Sequence, residues 1–489
     1  MPVNSMVILL VCIFAFIPLL IAEFARVKAR PTVSDFFLQG RGLNTFSMYA
    51  TVFATWMSAF AFMGAISYFY EQGPIYMTTV GWDALFAILF YLIGRRIWFY
   101  GKRREYITPT DFFNDIYNSK HLNIIVTTVT IIFTLLYIQL QMVGGLILIQ
   151  VASRGAISWQ VSGLIFFAIL IVYLWAGGLR AVALTDMFYG LLIVVTILSS
   201  GIFLMKTAGG MEYMFSQVIN DNVNNVTLQG PEGSHRTGLW LSLFVIVPVG
   251  AFMGPQMWIR NYGAKSVRNF ELLPLLLCLS SIICIGTLFA GSAGILLNEQ
   301  EVAEDTLIAS LMLQYGNPLF CAFVFVGIAA AIFSTANSQI HALSAIYTID
   351  IYKRYMNPKV TERSLLSIGK WSVAVISIFA YLLLLIIPRN IFDMGILAMG
   401  GMGQLIIPVL GALFWKKSSS KGAVTGLIAG LAVLFLLEGM TVMDTSYCAI
   451  SGLICNGIVF VIVSYLTKER GMTERKIEEY KEEFSKEHI

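Results

Sequence analysis

Apolar stretches of about 20 residues recur along almost the whole chain, and a helix needs that length to cross the hydrocarbon core of a bilayer. Of the 489 residues, 57% are hydrophobic and only 12% are charged, whereas about one quarter of a soluble protein is charged. The sequence therefore predicts an all-α polytopic membrane protein. Thirteen transmembrane helices are expected, near residues 4–25, 43–70, 76–98, 122–152, 157–176, 182–205, 238–259, 270–297, 317–349, 365–387, 391–415, 422–440 and 445–466.

The positive charges of the loops orient these helices. If residue 1 lies outside, 28 of the 32 lysine and arginine residues fall in cytoplasmic connections or in the tail. The others are Arg154, Lys206, Arg236 and Arg389. Because positive residues concentrate on the cytoplasmic side of membranes, we expect the N-terminus outside and the C-terminus in the cytoplasm. The net charge of +4 then reflects topology rather than affinity for nucleic acid.

Catalytic chemistry has no support in the sequence. The motifs HExxH and GxSxG are absent, and no paired acids lie near a predicted interface. The six cysteines fall within predicted spans and lack the spacing of metal ligands. We therefore expect neither an enzyme nor a resident cofactor.

Helix-breaking residues interrupt two of the predicted spans at corresponding places. Span two contains Ser58 and Gly64 among small residues, and span seven contains Gly250, Gly254 and Pro255. Glycine and proline free backbone carbonyls inside a membrane helix, which is tolerated only where protein or a water-filled cavity satisfies them. Two such breaks indicate a transporter site. Simple kinks or close helix packing through small residues are the alternative.

The segment Ala329–Asp350 is an apolar helix with an unusual number of polar side chains. Such side chains are costly at membrane depth and tend to face a bundle interior or a solute path. Ser334 and Thr335 follow Ala331 by one turn, so their oxygens share one helix face. Hard oxygens so grouped suit an alkali cation such as sodium. The alternative is hydrogen bonding of both hydroxyls to the preceding turn. The polar residues of the segment are Ser334, Thr335, Asn337, Ser338, Gln339 and His341.

Three motifs together resemble those of the sodium:solute symporter family, which includes sodium-coupled sugar, proline, pantothenate and sialic acid transporters. They are SDFFLQGRGLN at Ser34–Asn44, AGGLRAVALTDMFYG at Ala176–Gly190, and AAIFSTANSQIHALSAIYTIDIYK at Ala330–Lys353. The resemblance implies a LeuT-type core of two inverted five-helix repeats, with one helix before it and two after it.

On this resemblance the chain divides into six parts. They are an N-terminal extra helix with its cytoplasmic loop (1–42), a first inverted repeat (43–205), an external loop (206–237), a second inverted repeat (238–415), two C-terminal helices (416–466) and a charged cytoplasmic tail (467–489). The mixed charge of the tail predicts a solvated helix.

The resemblance also implies a sodium site. Carried over position by position, it consists of the backbone carbonyls of Ala54, Met57 and Ala331 and the hydroxyls of Ser334 and Thr335. All five donors are uncharged. Such a set binds a small hard cation modestly, as repeated capture and release requires.

Two further residues are assigned to ion release or to a second cation position, namely Asp186 and Ser338. From the residues alone, Asp186 could equally be a surface acid beside Arg180 or a helix cap. In family members with a second sodium site, a hydroxyl residue stands where this chain has Asn337, so one sodium per cycle is favoured.

The solute pocket is expected beside the breaks, although each aromatic candidate could instead serve packing or anchor an interface. Asp83 could bind an amine, or it could belong to an external vestibule or a salt bridge. Ala251 and Val247 replace aromatic residues of proline-transporting members, and Ala61 replaces a glutamine of sugar transporters. The candidates are Trp56, Ser58, Phe60, Trp82, Asp83, Gln141, Pro255, Gln256 and Gln404.

The predicted function is sodium-coupled symport of a small organic solute by alternating access, in a multi-pass protein of the plasma membrane. Na+ is the co-transported ion, and the bilayer and the solute are the expected partners of a monomeric carrier. A proton-coupled carrier of the same fold is the alternative, and a substrate sensor or a channel is a further one.

Overall fold

A computed structural model describes residues 17–28, 30–73, 77–227, 229–231, 237–298, 302–385, 391–440, 443–467 and 471–486. Within these ranges the chain is helical, apart from turns and one isolated bridge between Leu43 and Ala264. Most of the first predicted span, together with Arg236 and Arg389, lies outside the described residues.

The α-helices are α1 (17–28), α2 (Val33–Leu38), α3 (Thr45–Trp56), α4 (Ala65–Gln72), α5 (Thr78–Leu89), α6 (Arg95–Arg103), α7 (Pro109–Tyr117), α8 (Lys120–Ala152), α9 (Trp159–Thr207), α10 (Met211–Asp221), α11 (Thr237–Met253), α12 (Pro255–Gly263), α13 (Arg268–Ser280), α14 (Cys284–Leu297), α15 (Leu307–Tyr315), α16 (Pro318–Ile346), α17 (Glu362–Leu384), α18 (Ile391–Gly403), α19 (Ile406–Phe414), α20 (Ser420–Met440), α21 (Thr445–Leu466) and α22 (Gly471–Lys486). Wider π-helical turns occur at Phe60–Gly64, Phe90–Gly94 and Tyr347–Met356. Short 3-10 turns lie at Gln39–Arg41, Val223–Val226, Ser281–Ile283 and Glu304–Thr306.

Each predicted span is helical over most of the part that the structure describes, and the short helices α2, α7, α10, α15 and α22 lie outside the spans. Nine described helices are long and apolar enough to cross a membrane, and two further pairs count as broken spans. One pair, α3 with the helix Phe60–Gln72, is bent by 61°, and the other, α11 with α12, is bent by 57°. These are the two spans for which helix-breaking residues predict a break. Predicted spans five and six both lie in α9, on either side of a kink at Gly178.

Helix α16 lies at the centre of the bundle, where it packs against α3, α8, α9 and α17. In its most apolar part 83% of the residues are buried, compared with 28% in α20 at the periphery. The polar side chains of α16 therefore face protein rather than lipid. Ser334, Thr335 and Gln339 have no exposed surface at all.

The first two family motifs pack against each other. Gly178 adopts φ 57° and ψ −154°, a backbone conformation that favours glycine. A Cβ at this position would lie 2.5 Å from the carbonyl oxygen of Phe36 in α2. Nearby, Arg180 donates to Asp35 at 2.8 Å. The glycine of one motif and the acid of the other thus fix α2 on the kink of α9.

The last helix, α22, packs against α6, α7 and α19. The sequence predicts that it is solvated, but one face is buried through Ile477, Tyr480 and Phe484. These residues follow the i, i+3, i+7 spacing of an amphipathic helix, whose apolar stripe seeks a protein surface. The opposite face carries the charges, and Arg104 of the loop after α6 pairs with Glu483 at 2.8 Å.

Candidate sodium and solute sites

The break between α3 and the following π-turn is held open by hydrogen bonds that replace helical ones. Met57 has φ −80° and ψ 81°, which ends the helix. The amide of Ser58 donates to the carbonyl of Trp56 at 3.1 Å. The amide of Ala59 donates to Oε1 of Gln141 on α8 at 3.0 Å. Because these two amides have other acceptors, the carbonyls four residues before them lack their helical partners.

Those two carbonyls, of Ala54 and Thr55, point at the hydroxyl pair of α16. Ser334 Oγ donates to the oxygen of Ala54 at 2.7 Å, and Thr335 Oγ1 donates to that of Thr55 at 2.9 Å. Both hydroxyls also lie near the carbonyl oxygen of Ala331, at 3.0 and 3.2 Å. All these side chains are buried. The two hydroxyls therefore hydrogen-bond both to the preceding turn of α16 and to the carbonyls of α3.

The structure thus brings four of the five predicted sodium donors together, and Met57 is the first residue beyond the end of α3 on the same side of the break. Every donor oxygen is neutral and belongs to a backbone carbonyl or a hydroxyl. Hydroxyl oxygens keep lone pairs for a cation while they rotate their protons elsewhere. Such an arrangement is chemically suited to a small hard cation that must leave again.

Asp186 lies inside the bundle and has no exposed surface. Its Oδ2 accepts hydrogen bonds from Thr51 at 2.5 Å and from Arg260 at 3.3 Å. Arg180, the partner considered in the sequence analysis, pairs with Asp35 instead. The surface interpretation of Asp186 is therefore wrong, because this carboxylate forms part of a buried ion pair.

Arg260 on α12 is the functional candidate that the sequence analysis missed. Its Nη2 lies 2.8 Å from Thr51 Oγ1, 2.7 Å from Thr55 Oγ1 and 2.6 Å from Ser338 Oγ. Its Nη1 donates to the carbonyl oxygen of Gln256 at 3.0 Å. The available signal in the sequence was an arginine six residues after Gly254, in a helix that proves to be entirely buried.

The second break lies between α11 and α12. Gly254 has ψ 137°, and Pro255 occupies the first position of α12, where a missing amide proton does no harm. The side chain of Gln256 folds back, so that a Cβ on Gly254 would lie 2.5 Å from its Nε2. Oε1 of Gln256 is buried and has no hydrogen-bond partner among the described residues.

A small cavity adjoins the first break, with a volume of about 30 Å³. That is room for about two water molecules, so any solute requires the surrounding side chains to separate. Asp83 is the charged residue among its described lining. Its two oxygens accept from Trp56 Nε1 and from Ser281 Oγ, each at 2.7 Å. The described lining is Trp56, Met57, Phe60, Ala61, Ala65, Trp82, Asp83, Ile283, Cys284, Thr287 and Met399.

Four of the nine predicted solute residues, Trp56, Phe60, Trp82 and Asp83, line this cavity. The rings of Phe60 and Trp82 stack with centroids 6.3 Å apart, and Trp56 stacks on Phe86 at 4.5 Å. Aromatic faces beside one carboxylate provide a surface that attracts positive charge.

The other predicted solute residues lie elsewhere. Ser58 accepts from the amide of Phe60 within the break, and Gln141 holds that break open. Pro255 and Gln256 belong to the second break. Gln404 bonds to Ala449 and Asn456 and so joins α18 to α21.

A model of the sodium:solute symporter family matches residues 36–430. The chain belongs to this family. An osmoregulated proline transporter of Bacillus subtilis (strain 168) is 27% identical over 473 residues, which are 93% of each chain. Sodium/proline symporter 2 of Staphylococcus saprophyticus is 27% identical over 487 residues, which cover 95% of this chain and 93% of that one.

Solved structures show the same fold. A Na+-coupled sialic acid symporter in a substrate-bound outward-open state matches with a TM-score of 0.82 at 17% identity. The match covers 94% of this chain and 98% of that one. A nucleobase-cation-symport-1 family transporter in a closed conformation matches with a TM-score of 0.62 at 15% identity. It covers 91% of this chain and 97% of the other. These matches confirm the LeuT-type architecture.

Membership of the family confirms several expectations from the sequence. The protein is a multi-pass transporter of the plasma membrane and not an enzyme, and Na+ is its co-transported ion. The number of thirteen helices and the orientation of the termini stay predictions.

Proposed function

We propose that this symporter takes up a small organic solute together with one sodium ion, which binds to the oxygens of Ala54, Met57, Ala331, Ser334 and Thr335. The observation that supports this most directly is the meeting of the hydroxyl pair of α16 with the freed carbonyls of α3. We also propose thirteen spans with an external N-terminus, and the six-part division given above.

Sodium would act by replacing hydrogen bonds that already join two helices. The hydroxyls of Ser334 and Thr335 now donate to carbonyls of α3. A cation between them would convert the same oxygens into ligands and hold α3 and α16 together more firmly. The conformation with both helices in contact would gain population by mass action, and solute would then bind to that conformation.

The electrochemical gradient of one sodium ion is sufficient for concentrative uptake. One elementary charge that crosses an inside-negative membrane releases about 2.3 kcal/mol per 100 mV. Since each 1.4 kcal/mol corresponds to a factor of about ten, a neutral solute can be accumulated tens-fold.

We propose a solute that carries a protonated or quaternary nitrogen, bound at the cavity beside the first break. Asp83 supplies a carboxylate whose two present hydrogen bonds leave further lone pairs. Trp56, Phe60 and Trp82 supply aromatic faces. The sodium/proline symporters among the relatives carry an imino acid, which belongs to this class. Ala251 and Val247 differ from proline carriers, so other amines rank equally with proline.

Two measurements on purified protein test this function. Thermal-shift assays with amino acids, betaines, amines, sugars and carboxylates, each with and without sodium, should identify a solute that stabilises the fold more when sodium is present. Uptake of that solute into proteoliposomes should then require an inward sodium gradient. Uptake that follows a proton gradient and ignores sodium would favour the proton-coupled alternative, and channel-like currents would contradict a carrier.

A further inference from the structure

The guanidinium of Arg260 lies among hydroxyl and carboxylate oxygens from three other helices. It contacts Thr51 and Thr55 of α3, Asp186 of α9 and Ser338 of α16. Arg260 and Asp186 are both fully buried, with 1% and 0% of their surface exposed. An isolated charge is unstable at such a place, so each of the two depends on the other.

These oxygens form the ligand set of a cation site. One carboxylate oxygen and three hydroxyl oxygens surround Nη2 of Arg260. Two of these hydroxyl oxygens, Oγ1 of Thr55 and Oγ of Ser338, lie only 2.9 Å from each other. Hard oxygens in this number suit a monovalent cation. In this structure the cation at the centre of these oxygens is the guanidinium of Arg260, which is covalently attached to α12.

The position is also adjacent to the proposed sodium site. Ser338 follows Ser334 by one turn of α16, and Thr55 contributes its carbonyl to Thr335 and its hydroxyl to Arg260. Two mobile cations plus the guanidinium would repel each other strongly in a low-dielectric interior. The arginine and a second sodium ion therefore exclude each other.

We propose that Arg260 is a tethered cation that fills a second cation site formed by Asp186, Ser338, Thr51 and Thr55, and that it thereby fixes the sodium stoichiometry at one. The inference rests on the proposed sodium-coupled function. Asp186 then acts as counter-ion to the arginine rather than as a ligand to a travelling ion.

The test is the number of sodium ions that accompany each solute molecule. In proteoliposomes, wild-type protein should show a ratio of ²²Na+ to solute flux near one and a Hill coefficient for sodium near one. In Arg260→Ala the site loses its resident cation while Asp186 stays, so sodium should enter it. We expect the flux ratio and the Hill coefficient of this variant to rise towards two.

Two further variants serve as matched controls. Arg260→Lys keeps a positive charge at the position and should retain a ratio near one. Arg260→Ala combined with Asp186→Asn removes both charges, so the vacated position no longer attracts a cation and the ratio should stay near one. If the ratio of sodium to solute flux rises towards two only in Arg260→Ala, the cause is a vacated cation site and not a general change in packing.

A wild-type ratio of two would overturn the inference, and so would an Arg260→Ala variant that transports with an unchanged ratio of one. If the alanine variant does not reach the membrane, the wild-type ratio decides between one and two sodium ions. Absence of sodium-stimulated uptake by the wild type is a different result, because it contradicts the proposed function itself.

Discussion

Ser334 donates a hydrogen bond of 2.7 Å to the carbonyl oxygen of Ala54, which lies 280 residues earlier in the chain. The acceptor is free because α3 ends at Trp56, and the donor is buried in the central helix of the bundle. A sodium ion at this contact would bind oxygens of both α3, the broken helix, and α16, the central helix. Its binding is therefore sensitive to any change in their separation.

Replacing both hydroxyls, Ser334→Ala with Thr335→Ala, should abolish sodium-stimulated uptake. The double variant removes two of the five proposed ligand oxygens, and a hydrogen bond or ligand to a charged group is worth about 1.5–3 kcal/mol. Uptake at a range of sodium concentrations in proteoliposomes is the measurement. Ser377→Ala is the matched control, because Ser377 is also buried and bonds to its own helix at Val373. Sodium dependence that survives in the double variant would place the ion elsewhere.

Asp83→Asn should weaken solute binding and leave sodium dependence intact. The neutral amide keeps the size of the side chain but loses the charge that we expect to attract a solute nitrogen. A charged hydrogen bond worth about 1.5–3 kcal/mol predicts a rise in apparent KM of roughly 10- to 100-fold. Glu212→Gln on the exposed face of α10 removes a negative charge elsewhere and should change nothing. An unchanged KM in Asp83→Asn would exclude this carboxylate from the solute site.

Gly178→Ala should destabilise the fold. Alanine at φ 57° is strained, and its Cβ would lie 2.5 Å from the carbonyl oxygen of Phe36. Together the strain and the overlap should cost roughly 2–5 kcal/mol. Thermal unfolding of purified protein in detergent should show a lower midpoint and a lower yield of monodisperse protein. Gly439→Ala is the control, since a Cβ there meets no atom within 4 Å; equal midpoints for both variants would contradict the packing described.

Docking of the tail helix α22 should be stable at neutral pH and weaken only in strong acid. Burial raises the pKa of Asp115, but hydrogen bonds from Tyr106 and Tyr480 and the charge of Lys476 more than offset it. The pKa therefore lies below its ordinary value. A carboxyl with a depressed pKa stabilises the docked state above about pH 4 and loses this contribution as the pH falls through the docked-state pKa.

Amide exchange in residues 471–486, corrected for the intrinsic pH dependence, measures this docking. Protection should be constant between about pH 8 and pH 5. Asp115→Asn should lower it at neutral pH by roughly tenfold or more, because two hydrogen bonds lose their charged acceptor. Glu482→Gln changes an acid whose side chain is 72% exposed and should have no effect. Equal protection in the two variants would show that Asp115 does not hold the tail.

The sequence predicted the helices and the two breaks because both depend on local patterns, whereas the sodium donors Ala54, Met57 and Ala331 rest on the family resemblance and stay predictions. Apolar length, the distribution of positive charge and the breaks near Ser58 and Gly254 are visible in the chain itself. The hydroxyl pair of α16 was visible for the same reason, since its residues are neighbours. The apolar stripe of Ile477, Tyr480 and Phe484 is also a local pattern, but the many charged residues around it led to the prediction of a solvated helix.

The role of Arg260 could not be derived in this way. Its partner Asp186 lies 74 positions away, and Thr51 lies 209 positions away. No spacing rule connects such residues until the helices are packed. Gln141 shows the same limit, because its carboxamide proves to terminate α3 through Ala59 rather than to line the cavity.

The early end of α3 has an electrostatic consequence as well as a steric one. Aligned peptide dipoles leave about half a negative elementary charge at the C-terminal end of a helix. At Trp56 that partial charge is directed at the oxygens proposed to hold sodium. An ion can thus be attracted into the interior of the helix bundle without a carboxylate in its coordination shell, and the attraction weakens whenever α3 tilts away from α16.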